Sequence, residues 1–200
     1  MPLQGCATHV NVVTLVSDTQ EASDSAAFEV CRVTNTGGFT IGYWSNNNGQ
    51  RDLKNLVTAG KVSAASLKSS YPTLLWDATA PLDGVPGAKA RGTGCNKVGA
   101  GYVWKTICEA NASDDGVKML KAQFLATVLN VARSAEIGDE DLGDQVVYWN
   151  GEWKTVTAWL AFVDHNVDLT DKAMVGSYAS LFDAINNNAA ATSEYTWTIL

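Results

Sequence analysis

The stretch Val117-Lys118-Met119-Leu120-Lys121-Ala122-Gln123-Phe124-Leu125-Ala126-Thr127-Val128-Leu129-Asn130-Val131 decides how this chain folds. Val117, Leu120, Phe124, Val128 and Val131 recur at steps of three and four, so they form one apolar stripe on a helix. The spacing predicts a helix over 115–133 whose stripe faces a core. Ser113 or Asp114 can cap it, and Asp114 and Asp115 suit the positive end of the helix dipole.

Working outward, residues 50–59 and 62–70 read as short helices, the second stopped at Tyr71-Pro72, because the residue before proline avoids the helical region. Residues 77–101, rich in glycine and holding Pro81 and Pro86, read as a long surface loop. Beyond the long helix, Ile137 to Asp144 reads as an acidic turn. Asn150-Gly151 between Val146-Val147-Tyr148-Trp149 and Glu152-Trp153-Lys154 predicts a tight hairpin. Residues 155–165 and 171–187 read as helices, the last ended by Asn186-Asn187-Asn188.

Both ends of the chain have strand character. Residues 7–16 alternate, with Val10, Val12, Thr14 and Val16 on one side, and Ala27 to Val33 alternates again after a polar loop from Asp18 to Ser25. The tail Glu194 to Leu200 alternates polar and apolar residues, with Tyr195 and Trp197 in it. The expected architecture is therefore α+β: N-terminal β strands, a helical middle and a C-terminal β strand, stabilised by disulfides. A β segment over 1–35 is expected to join an α+β surface domain over 36–200 in one compact unit, with the terminal strands paired within the chain or between chains.

Composition bounds the function. The chain has 200 residues, 46% of them hydrophobic and 18% charged, with a net charge of −7 and pI near 4.7. That is too apolar for a disordered chain. It is too acidic, and too poor in Lys and Arg clusters, to wrap nucleic acid. The longest apolar run of the C-terminal half, Ala158 to Val163, is far short of the roughly 20 residues that span a bilayer. The four cysteines, Cys6, Cys31, Cys95 and Cys108, form no Cys-x-x-Cys pair and have only two histidines beside them, which argues against structural zinc. Two disulfides in a secreted protein are expected, Cys95–Cys108 and Cys6–Cys31 among the three pairings four cysteines allow; four buried free thiols is the alternative. The shorter Cys95–Cys108 loop would contribute about 3 kcal/mol on a loop-entropy model. Met1-Pro2-Leu3-Gln4 has neither a basic nor an apolar leader region, so either the chain is cytosolic or a leader has been removed, and the second is expected.

Three stretches resemble one family. Residues 38–50, Gly-Phe-Thr-Ile-Gly-Tyr-Trp-Ser-Asn-Asn-Asn-Gly-Gln, resemble the Thr-x-Gly-Tyr-Trp and Asn-Gly-Gln signature of a family of secreted bacterial surface proteins of unassigned function. Residues 104–131, from Trp104 through Ala110-Asn111-Ala112 to Met119-Leu120, Ala122-Gln123 and Leu129-Asn130-Val131, resemble a second segment of that family. Residues 181–188, Leu-Phe-Asp-Ala-Ile-Asn-Asn-Asn, are similar to its end, and the order and rough spacing agree across about 38–188. The resemblance implies secretion and a place at the cell surface beside anchoring or repeat domains. It brings no enzymatic activity, disulfide pairing or function with it.

Few residues point to catalysis. His9 lies on a predicted strand and His165 beside Asp164 at a helix end, and there is no Gly-x-Ser-x-Gly elbow to supply a serine nucleophile. Asp139, Glu140, Asp141 and Asp144, or Asp114 and Asp115, offer carboxylates for glycosidic cleavage, with nothing in their spacing to distinguish them from solvated turns. Asp139, Asp141 and Asp144 are dense enough in oxygen to hold Ca²⁺ but lack the EF-hand pattern, so a plain acidic loop is the preferred reading and no cofactor is expected. No glycine loop suits a phosphate. Asn111-Ala112-Ser113 is a glycosylation sequon at a predicted helix start.

The unusual resource is aromatic: seven Trp and six Tyr. Tyr43 and Trp44 read as packed, whereas Trp149, Trp153, Tyr195 and Trp197 are expected to form an exposed strip that stacks on sugars or anchors a partner. The function expected is a non-enzymatic extracellular structural protein, a homo-oligomeric or polymeric subunit of a surface filament or layer. Its subunits join by strand pairing through Val10, Val12 and Val16, or through Tyr195 and Trp197. The alternative is a carbohydrate-binding or adhesive surface module; an enzyme is the third class.

Overall fold

A computed structural model describes residues 6–16, 21–31, 38–83, 101–111, 114–137 and 141–187. The chain divides into two compact units, Met1–Asn35 and Thr36–Leu200. The first holds two antiparallel strands, β1 (Cys6–Val16) and β2 (Glu21–Cys31), in register from Cys6 opposite Cys31 to Val16 opposite Glu21. Strand β2 starts inside the polar segment read as a loop. Glu21, Ser23 and Asp24 have low strand propensity, but pairing with the β-branched β1 supplies the ladder that their own side chains do not favour.

The second unit is mostly helical. Its elements are α1 (Ile41–Ser45), α2 (Asn47–Thr58), α3 (Ala64–Ser70), α4 (Tyr102–Asn111), α5 (Gly116–Ile137), a 3₁₀ turn (Leu142–Asp144), β3 (Val146–Trp149), β4 (Glu152–Thr155), α6 (Val156–Asn166) and α7 (Lys172–Asn186). This corrects the expected α+β architecture. Among the described residues the only sheets are the two separate two-stranded pairs, and none joins the two ends of the chain. The tail over 194–200, with Tyr195 and Trp197, lies outside the described residues. Among the described residues no pair of cysteines frames the body; an apolar core organises it. Of the four cysteines only Cys108 has a described side chain, buried on α4 and disulfide-bonded. Cys95 and the expected pairing Cys95–Cys108 lie outside the described residues, as do the side chains of Cys6 and Cys31.

Helix α5 is the centre of the body, contacting α1, α2, α4, α6 and α7. The sequence predicts one stripe, yet every residue from Ala122 to Asn130 is buried. Ala122, Ala126 and Thr127, small residues between the large ones, let neighbours approach from the other sides. Phe124 meets Phe182 of α7 and Tyr71 edge-on, at 5.1 and 5.0 Å between ring centres. Helix α4 is absent from the sequence reading. Its aromatic and β-branched residues are poor helix formers, and burial of Val103, Ile107 and Ala110 overrides that propensity.

The motif over 38–50 turns out to be a tight corner. Thr40 caps α1, and the Asn46 side chain accepts from the Asn48 and Gly49 amides to start α2. Gly49 allows the two helices to meet, because a Cβ there would lie 2.1 Å from the Tyr43 carbonyl oxygen. Gln50 Nε2 donates back to the Trp44 carbonyl at 2.5 Å.

The three motif segments converge on one buried polar knot. Asn186 of α7 is fully buried. Its Nδ2 donates to the carbonyl and to Oε1 of Gln123, each at 2.9 Å. Its Oδ1 accepts from Asn130 Nδ2 at 2.9 Å and lies 3.0 Å from the Thr127 hydroxyl. Asn130 in turn accepts from Trp44 Nε1 at 3.0 Å and donates to the Phe39 carbonyl at 2.9 Å. Gln123 Nε2 donates to Asp183 at 2.6 Å. Replacing Asn186 would strand several buried partners, each costing about 1–3 kcal/mol. Asn186→Leu is therefore predicted to lower stability by about 3 kcal/mol or more, read from the urea midpoint, whereas Ser180→Ala at an exposed position changes it by under about 0.5 kcal/mol. An unchanged midpoint in Asn186→Leu would contradict the knot's role.

Candidate functional site

The half-buried carboxylates are the first place to look for chemistry. Asp52 of α2 accepts from the Tyr43 hydroxyl at 2.5 Å and from Arg133 Nε at 2.9 Å. Phe39 stacks on Tyr43 at 4.1 Å, and the Arg133 guanidinium lies 4.4 Å over the Phe39 ring. Burial disfavours the Asp52 charge, but the hydrogen bonds from Tyr43 and Arg133 outweigh it and hold the acid below its ordinary range. Burial, then the Asp52 carboxylate, raises Tyr43. Asp77 is a second such group, bound by Lys121 Nζ at 2.5 and 2.6 Å and by the Tyr102 hydroxyl at 2.9 Å. It too lies below its ordinary range, burial being outweighed by those hydrogen bonds, while burial and Asp77 raise Tyr102. Buried Asp164 accepts from the Thr73 and Leu74 amides, pinning the segment after α3 to α6. Each of these carboxylates ties two elements together.

The acidic turn is placed in the same way. Asp141 accepts from the Gly143 amide at 2.8 Å and caps the 3₁₀ turn. Asp144 is exposed, and Asp139 lies outside the described residues. Among the described residues no three His, Cys, Asp or Glu side chains converge as metal ligands. His165 is exposed in the last turn of α6, where a cation would complement the dipole. Asn111 is the exposed last residue of α4.

Two surfaces remain. The first is the β3–β4 hairpin, closed by Asn150 at φ 50° and Gly151 at φ 87°, the left-handed pair its tight turn demands. Val147 is buried, and Trp149 is half-buried with Nε1 donating to Ser177 Oγ at 3.1 Å. Their neighbours face out: Val146 is 57% exposed, Tyr148 44% and Trp153 41%. Tyr148 stands opposite Trp153, with ring centres 4.8 Å apart. Of the expected strip, Tyr195 and Trp197 lie outside the described residues; Trp149 turns inward, and Tyr148 stands beside Trp153 instead. Period two around the Asn-Gly turn carried that signal. The second surface is the N-terminal hairpin, where Val10, Val12 and Val16 occupy alternate positions opposite Ala27, Ser25 and Glu21. Among the described residues each strand of this two-stranded sheet has one unpaired edge.

No family model, no curated protein and no solved structure matches this chain.

The ionic ties carry a pH signature. A depressed carboxylate stabilises the fold above its unfolded pKa of about 4, and that contribution is lost as pH falls through its lower folded value. A raised tyrosine stabilises below its unfolded value of about 10, and that contribution is lost as pH rises beyond it. Denaturant midpoints are therefore predicted to fall below about pH 4 and above about pH 10, and Asp52→Asn should flatten part of the acid limb. An acid limb identical to wild type would remove Asp52 from the account.

Proposed function

We propose that this chain is an extracellular structural protein, a subunit of a surface filament or layer whose copies join by strand pairing. The observation that carries the reading is the first unit: two strands of eleven residues, each with one edge unpaired among the described residues. A lone two-stranded hairpin is at best marginally stable in water, and an open edge is a template for another strand. The resemblance over 38–188 supports a surface setting, and the low charge suits it. Light scattering on a sizing column tests the reading. The intact chain is expected to run well above 21.3 kDa, and the chain cut to 36–200 at its monomer mass. A monomeric intact chain at about 100 μM would overturn it.

A second reading rests on the outward Tyr148 and Trp153 rings. Aromatic faces stack on the C–H faces of sugars, so this hairpin suits a neutral glycan. Tryptophan fluorescence is predicted to shift with soluble cello-, xylo- or chito-oligosaccharides and to lose that shift in Trp153→Ala. No shift across the three excludes the reading.

A further inference from the structure

The first unit also indicates which edge is used and by what. We infer that β1 pairs antiparallel with β1 of a second copy, centred on Asn11, to make a four-stranded sheet in the order β2-β1-β1-β2. The inference rests on the reading that copies join by strand pairing.

Charge separates the two edges. Strand β2 carries Glu21, Asp24 and Glu29, whereas β1 carries no Asp, Glu, Lys or Arg. Acidic residues blunt an edge, and two β2 edges brought together would set acids against acids. Strand β1 also has no proline within it and no break in its eleven-residue register. Of the two described edges it is the one without charged residues.

The order of residues then selects the partner. Asn11 is the midpoint of Cys6–Val16, and the sequence is nearly palindromic about it. Antiparallel self-pairing centred there overlaps all eleven residues. It sets Val10 opposite Val12, Thr8 opposite Thr14, Ala7 opposite Leu15 and His9 opposite Val13. Threonine pairs and β-branched pairs are favourable across strands, each worth a few tenths to about 1 kcal/mol, and no like charges meet. Shifting the centre to Val12 shortens the overlap and sets Asn11 against Val13 and His9 against Leu15. A segment of an unrelated protein has no reason to match this symmetry; a second copy matches it by construction. The contact is isologous and so closes at two, and the acidic β2 strands form the outer edges of the sheet.

The test uses the full chain. Sedimentation over about 1–100 μM is expected to show a dimer. Val12→Lys should weaken it at least tenfold, and adding Val10→Glu, which this register places opposite position 12, should restore it. In Asn11→Cys the new thiol meets its own copy across the two-fold axis, where opposed Cα atoms about 4.5–5.5 Å apart suit a disulfide. Oxidised Asn11→Cys should therefore run as a covalent dimer on a non-reducing gel, and Ser25→Cys on β2 should not. An oligomer that ignores Val12→Lys and gives no Asn11→Cys cross-link overturns the β1 contact and leaves assembly by another surface standing. A chain monomeric throughout the range overturns both.

Discussion

The body depends on one amide. Asn186 sits where α7 crosses α5, with every polar atom of its side chain engaged. A buried amide of this kind is favourable only if all its partners are in place, since each missing one leaves a desolvated group behind. It therefore sets the register of α7 on α5. Through Asn130 it also fixes where Trp44 and the Phe39 carbonyl must lie. Apolar packing of Leu120, Phe124, Leu129, Phe182 and Ile185 supplies most of the driving force but accepts many arrangements. The knot is what makes one arrangement better than the others.

That reading changes what the sequence motifs mean. Trp44, Gly49, Gln50, Gln123, Asn130 and Asn186 all lie in the three motif segments. In the fold they serve a corner and a knot. Asp52, Asp77 and Asp164 follow suit, each bridging elements far apart in sequence. The body is a scaffold in which polar residues specify geometry. Among the described residues its outward features include the aromatic face of the β3–β4 hairpin, and the first unit has its strand edges.

The legible parts of the sequence were those with a strong local period. The stripe from Val117 to Val131 marked α5, the Asn150-Gly151 turn marked the second hairpin, and the helices read over 155–165 and 171–187 match α6 and α7. The misreadings came where tertiary contact overrides local preference. Helix α4 forms from poor helix formers because it is buried, and β2 extends into a polar segment because β1 pairs with it. The strand character of the chain ends suggested one sheet, a long-range choice that alternation of side chains does not encode. Trp149 and Tyr148 differ by one position, which in a strand exchanges the buried face for the exposed one.

An isologous pair cannot by itself make a filament or a layer. A two-fold contact closes, and growth requires a second, different contact on the same subunit. If β1 is covered by its own copy as proposed, the remaining edge of the described sheet is β2, guarded by Glu21, Asp24 and Glu29. The second contact then falls to the body. There the outward face of Val146, Tyr148 and Trp153 is aromatic, rigidly mounted on a hairpin and bordered by the Glu152–Lys154 ion pair, the composition that anchors contacts at interfaces. On this account the chain is a dimer by its strands, and whether it becomes a polymer or an adhesive pair depends on whether that face meets protein or sugar. On the proposed reading the two hairpins divide the work: one joins equal copies, and the other determines what the joined pair attaches to.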